Sequence, residues 1–327
     1  WNYRLVPVCF SIFTLFLMLG LGCARDGGLF PNRTGLFCSL LLTALSPAMA
    51  YYNRFFIQET MLVTFLTGML VCGRLYAHAR SGAEAKQEGT ANSLTGTAWY
   101  AIGFGLFAGL AAATKETVVL SFFSMSVAAI AVFGWRGVRA AWNVRHAALA
   151  IGSAAVVAVV LFSSFFTYPQ GVYEALVSTV PAYLSRATVV TEHQHPWWFY
   201  LKTMFWFKYG RSPVWSEAGL LVPALLAAVE AVWPRRRDAE ASRRACFVRF
   251  VVVYTLVLTG VYSAIPYKTP WCMLSFLHGY ILLAGVGIGV AVDWLCRQTR
   301  PVSRVAGLAA VAVLVGGVAY RQARMAG

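Results

Sequence analysis

The chain has 327 residues, of which 59% are hydrophobic and only 12% charged, and it carries a formal net charge of +15. Soluble domains run near ~45–50% apolar and ~25% charged, so a soluble enzyme and a disordered chain are both excluded; the mean hydropathy of +0.65 agrees. What remains is an all-α, polytopic membrane bundle, in which the basic surplus reports topology and calls for no nucleic-acid partner.

A bilayer crossing takes ~20 apolar residues, fewer where a segment is short or re-entrant. Ten segments qualify: 5–21, 35–50, 61–76, 98–113, 117–133, 147–166, 218–233, 250–265, 272–292 and 305–320. No signal peptide precedes them, and the chain starts at Trp1. It therefore reads as a single transmembrane domain, 1–327, that lacks its natural N-terminus. The connections 23–34, 77–97, 134–146, 234–249 and 293–304 fall on one side, and 51–60, 115–116, 167–217, 266–271 and both chain ends on the other. The first side has the larger positive net charge, +10 against +5, with six arginines in 234–249 alone. By the positive-inside rule it is cytoplasmic. Residues 81–97 read as a linker and 135–146 as a basic, aromatic interfacial helix. Asn32-Arg33-Thr34 matches a glycan sequon but falls on the inner side. The seven cysteines form no CxxC pair and read as small apolar packing residues. The pairs Gly105/Gly109 and Gly285/Gly289 fit close helix packing, and His278 reads as a core histidine.

The chemistry gathers on the outer side. In Tyr51–Thr60 aromatics including Tyr52 alternate with Arg54 and Glu59, ionisable groups that at this depth need a partner or a wet cavity; a local Arg54–Glu59 pair is the simplest arrangement. Lys115-Glu116 interrupts an apolar stretch of 36 residues, 98–133, too long for one crossing. The two charges mark the outer turn of a hairpin or a break in a helix, and adjacent residues ~100° apart need different partners. An ammonium there suits a phosphate; a carboxylate suits hydroxyls, a divalent cation or a second cation. The long outer loop, 167–217, has a short surface helix predicted over 173–183 and contains His193 and His195. Two apart on an extended segment, they can share a face and reach one ion or phosphate, or sit incidentally in an aromatic belt. In 265–271, prolines 266 and 270 stiffen a turn that points Lys268 into the outer mouth, framed by Tyr267 and Trp271.

The islands Ser46-Pro47 through Tyr51-Tyr52-Asn53-Arg54-Phe55 with Glu59, Thr114-Lys115-Glu116-Thr117, and Lys268-Thr269-Pro270-Trp271 resemble the GT-C superfamily of polytopic glycosyltransferases. Within it they look most like prokaryotic flippase activity-associated proteins, related to the dolichyl-phosphate-mannose protein mannosyltransferases. The resemblance implies transfer of a sugar from a polyprenyl-phosphate carrier to an extracytoplasmic acceptor, with inversion of the anomeric centre. It also implies a principal acidic base in an outer loop upstream of Trp1. Glu59 matches the second acidic position of the family, with Gln58-Glu59 in place of the more usual Asn-Asp, and Lys115-Glu116 matches its Lys-Glu pair. Glu59 and Glu116 are then the carboxylates acting on acceptor or metal. Arg54, Lys115 and Lys268 are the phosphate-side cations, and Tyr52, Tyr267, Trp271, His193 and His195 line the substrate. The rival class is a lipid-linked-sugar flippase or secondary transporter, since paired charges in broken apolar segments also serve transport.

Overall fold

The computed structural model describes residues 2–23, 27–85, 91–178, 181, 193–208, 210–211, 214–234 and 239–326. In chain order the helices are α1 (Asn2–Gly20), α2 (Arg33–Leu45), α3 (Pro47–Tyr52), α4 (Gln58–Ala85), α5 (Ala91–Thr114), α6 (Val118–Ala141) and α7 (Val144–Phe162). They continue with α8 (Gln170–Tyr173), α9 (Phe199–Phe205), α10 (Leu221–Val232), α11 (Ala239–Ala264), α12 (Leu274–Cys296) and α13 (Pro301–Ala326). Eight of these are long and apolar enough to cross a membrane, and Arg33–Leu45 and Ala218–Val232 are shorter apolar helices. All ten predicted segments are therefore helical. Extended pairing among the described residues is limited to isolated bridges, two of them in the loop 193–217.

Local chemistry explains where the boundaries differ from the predicted ones. The segment read as 35–50 is two helices, because Ser46 and Pro47 restart the chain: the Ser46 hydroxyl accepts from the Met49 amide at 3.3 Å, and Pro47 occupies the first helical turn. Asn32 caps α2 through the Gly35 amide at 2.9 Å while its own amide donates to Asp293 and the Gly289 carbonyl, both at 2.8 Å. The sequon asparagine is thus already engaged. The predicted linker 81–97 is narrower than expected, since α4 runs through Ala85 and α5 begins at Ala91. In α6 the chain kinks at Gly134, whose φ of 68° lies in the left-handed region that glycine tolerates. The kink turns 135–141 away from the spanning part and leaves Trp135 and Trp142 exposed, as an interfacial helix requires. The predicted surface helix at 173–183 begins earlier, with α8 leading into a π-turn over Glu174–Ser178; most of 179–192 lies outside the described residues.

Helix α12 is the hub. It is flanked by α2, α4, α10, α11 and α13, and 89% of its apolar window is buried, against 6% for α7 and for α13 at the periphery. Small residues make this contact density feasible: a Cβ at Gly285 would come within 2.5 Å of the Ser39 Cβ and 2.7 Å of the Gly35 carbonyl oxygen. Gly109 faces the Ala154 carbonyl of α7 equally closely, so both predicted glycine pairs lie at helix interfaces. Helix α5 packs between α4 and α7, whereas α6 packs on α11. The two helices that meet at Lys115-Glu116 therefore diverge instead of pairing.

Candidate functional site

Helix alternation brings four connections to one end of the bundle: the turn before α4, the α5–α6 turn, the segment between α11 and α12, and the described part of the loop before α10. Glu59 lies in the first turn of α4, where the helix dipole favours a carboxylate, and is only 3% exposed. Its Oε1 forms an ion pair with the Lys115 ammonium. Lys115 also reaches the Cys272 sulfur at 3.4 Å, and that thiol contacts Glu59 Oε1 at 3.6 Å and the Thr269 hydroxyl at 3.1 Å. Burial pulls the Lys115 ammonium toward neutrality, but Cys272 and Glu59 outweigh it and hold its pKa above the ordinary lysine value. Glu59 Oε2 and the buried Thr117 hydroxyl have no hydrogen-bond partner among the described residues.

Beside this pair opens a cavity of about 160 Å³, lined by Lys115, Glu116, Tyr267, Thr269, Trp271 and Cys272 among others. Lys115 and Glu116 form the turn between two diverging helices, and they do face different partners: Glu116 is exposed and turned to the cavity, Lys115 to Glu59. Tyr52 meets Trp271 edge to face, with ring centroids 6.4 Å apart. Arg54 is not the partner of Glu59. It is exposed, its guanidinium has no partner among the described residues, and it borders a second cavity of about 250 Å³ with Asn53 and Thr60.

Lys268 does not point into the outer mouth as its turn predicted; it is 1% exposed. Its ammonium donates to the carbonyls of His195, at 3.0 Å, and Ile265, and its amide donates to the His193 carbonyl at 2.8 Å. Burial lowers its pKa. With the His195 amide on the Pro266 carbonyl at 3.1 Å, these bonds pin the loop to the α11–α12 segment. The physical reason is that an aromatic-framed turn leaves carbonyls without partners, and a lysine folded inward satisfies two of them. His193 and His195 do not share a face toward one ion: His193 meets Tyr267 edge to face at 5.3 Å, and His195 stacks on Phe199 at 4.0 Å. Burial, then the nearby His193 and Lys268, lower the His195 pKa. Among the described residues no three His, Cys, Asp or Glu side chains converge as a metal-ligand set.

Two residues of this end were not singled out in the sequence. Cys272 was read as packing, yet it bridges Lys115 and Glu59; its place one turn after Thr269 was the available signal. Glu217, 4% exposed, accepts from the Ser46 hydroxyl and from Gln322, each at 2.6 Å, and from the Ala48 amide at 3.4 Å. Burial raises its pKa against those hydrogen bonds. A carboxylate immediately before an apolar run was its only mark in the sequence.

The arrangement has the fold of the GT-C glycosyltransferases. The chain superimposes on the crystal structure of ArnT from Cupriavidus metallidurans bound to undecaprenyl phosphate with a TM-score of 0.61 and 13% identity, covering 100% of this chain and 60% of ArnT. The archaeal oligosaccharyltransferase AglB from Archaeoglobus fulgidus, in complex with an inhibitory peptide and a dolichol-phosphate, gives 0.55 and 11%, covering 98% of this chain and 44% of that one. The chain thus spans about three-fifths of the length of ArnT or less than half that of AglB. No protein-family profile matches the chain, and no curated protein matches it in sequence.

Proposed function

We propose that the chain is the membrane part of a glycosyltransferase that moves a sugar from a polyprenyl-phosphate carrier to an extracytoplasmic acceptor, whether lipid, glycan or protein. The observation that carries the reading is the Lys115 ammonium, held by buried Glu59 at the edge of a cavity that also presents Glu116 and the aromatics Tyr267 and Trp271. The two glycosyltransferases of shared fold are described with polyprenyl phosphates bound, which favours the same class of donor here. The smaller positive surplus at the site's end of the bundle supports an extracytoplasmic active face.

In the reaction an acceptor hydroxyl oxygen forms a bond to the anomeric carbon while the bond from that carbon to the carrier phosphate breaks. The electron pair leaves with the phosphate, and the hydroxyl proton passes to a carboxylate. Lys115 stabilises the charge that grows on the phosphate, an effect worth ~2.7–4 kcal/mol when such a donor is preorganised. Glu59 acts through Lys115 by fixing its ammonium, because Oε1 is already engaged. Glu116, exposed to the cavity, is the carboxylate free to take a proton, and a positioned general base contributes ~10²–10⁴-fold. Arg54, at the neighbouring cavity, offers a second cation. Lys268 secures the loop that carries His193 and His195. A divalent cation would be held by Glu116, in place of that residue's role as base, and would supply neutralising charge beside the phosphate; the effect of EDTA on turnover tests this.

The test is sugar transfer by the full-length protein from a labelled polyprenyl-phosphate sugar in proteoliposomes. Lys115→Met lowers turnover ~10²–10³-fold. Turnover that survives Glu59→Gln and Glu116→Gln together overturns the assignment. Movement of intact lipid-linked sugar across the bilayer, with no bond cleaved, supports the flippase instead.

A further inference from the structure

Because α5 and α6 diverge from the Lys115 turn, the space between them stays open. Bounded by α4, α5, α6 and α11 is a cavity of about 620 Å³, within the ~300–1,000 Å³ of small-molecule sites. Its walls include Met69, Phe104, Met125, Phe133, Phe247 and Phe250, and Arg74, His78 and Arg243 stand at one end. Arg74 follows Glu59 by 15 residues on α4, about 22 Å along the helix axis. On α11, Arg243 precedes Tyr262 of the outer cavity by 19 residues, about 28 Å. The hydrocarbon core is ~30 Å thick, so the cationic end lies in the opposite leaflet from the Glu59–Lys115 site and on the side of the arginine-rich connections.

We infer that this cavity binds an anionic phospholipid of that leaflet, one acyl chain lying between the α4–α5 and α6–α11 pairs and the headgroup phosphate meeting Arg243. An unfilled apolar space of this size forfeits the dispersion contacts of everything that lines it, and a lipid chain restores them. Charge complementarity selects the headgroup. Arg243 is exposed and has no partner among the described residues, while Arg74 is steadied at the mouth by its Nε bond to the Gly20 carbonyl at 3.1 Å. Basic pockets between transmembrane helices at the cytoplasmic face favour such headgroups. This lipid is distinct from the sugar carrier, whose phosphate belongs a membrane's thickness away, and the inference stands whether or not the transferase reading does.

Native mass spectrometry and thermal melting of the full-length protein, titrated with phosphatidylglycerol or phosphatidylcholine, provide the test. One phosphatidylglycerol binds saturably and raises the melting midpoint, and phosphatidylcholine does so less. Arg243→Gln, at an exposed position, weakens phosphatidylglycerol about fivefold, the weight of one arginine near a charged headgroup. Ala129→Trp, which fills the cavity, abolishes the shift. Equal response to both lipids, an unchanged shift in Ala129→Trp, an unaltered affinity in Arg243→Gln, a protein dimer without bound lipid, or displacement of phosphatidylglycerol by polyprenyl phosphate would each overturn the inference; if Ala129→Trp does not fold, Arg243→Gln decides.

Discussion

Removing either member of the Glu59–Lys115 pair leaves the other charge stranded, and the two are not equally buried. Glu59 is 3% exposed and Lys115 15%. Breaking a buried pair from one side costs ~3–5 kcal/mol, because the remaining charge has lost water and partner alike. In Glu59→Gln the Lys115 ammonium keeps some solvent and the Cys272 sulfur at 3.4 Å, which puts the loss at the lower end, about 3 kcal/mol. In Lys115→Met the carboxylate, almost without solvent, keeps only the longer Cys272 thiol contact at 3.6 Å, its Oε2 already being unpartnered among the described residues, and the loss approaches ~5 kcal/mol. The double variant Glu59→Gln/Lys115→Met strands no charge and recovers to within ~1 kcal/mol of the parent. Its transfer activity does not recover, because the phosphate-side cation is gone. The assay is thermal unfolding followed by tryptophan fluorescence in one fixed detergent, run beside the transfer assay on all four proteins. A double variant no more stable than Glu59→Gln, or a Lys115→Met milder than Glu59→Gln, would refute the burial argument.

Three further outcomes follow from the neighbouring contacts. Glu217→Gln costs less than ~1 kcal/mol, because the Gln322 side chain can flip its unpartnered oxygen toward the new amide. Glu217→Ala costs ~2–4 kcal/mol by leaving the Ser46 and Gln322 donors unpaired, and melting of the two variants separates these outcomes. Lys268→Met orphans the carbonyls of His195 and Ile265 at ~1–3 kcal/mol each, so limited proteolysis cuts the 193–217 loop faster while sugar transfer per folded molecule changes little. The lowered pKa of His195 means that the unfolded chain binds its proton first; stability tied to this ring is present above the unfolded pKa of ~6.5 and is lost as the pH falls below it toward the folded value. The protection factors of the 193–200 amides, measured against the intrinsic exchange rate at each pH, therefore fall between pH 7 and pH 5, and His195→Phe, which keeps the stack on Phe199, removes the effect.

Composition and hydropathy were enough to specify a membrane helical bundle and the place of all ten apolar segments, because burial in lipid demands long runs of apolar residues whatever their neighbours. The alternation of connections also grouped Glu59, Lys115, Glu116 and the 265–271 turn at one end, since sequential spanning helices must reverse direction. Partner choice was another matter. Arg54 lies five residues from Glu59 and was the natural counter-ion by sequence, yet Lys115, 56 residues away, takes that place because α4 and α5 pack side by side. Lys268 was equally legible as a charge and not as a direction: only the fold brings it the His195 carbonyl of the loop beside the Ile265 carbonyl of its own turn. The divergence of α5 from α6 and the cavity it leaves were beyond the sequence altogether. The spanning parts of both helices lack charge, and α6 turns small residues inward, Ser121, Ser124 and Ala128 among them, so the pattern does not fix which neighbour each helix will choose; that choice is made by shape, as where Gly109 lets α5 approach the α7 backbone.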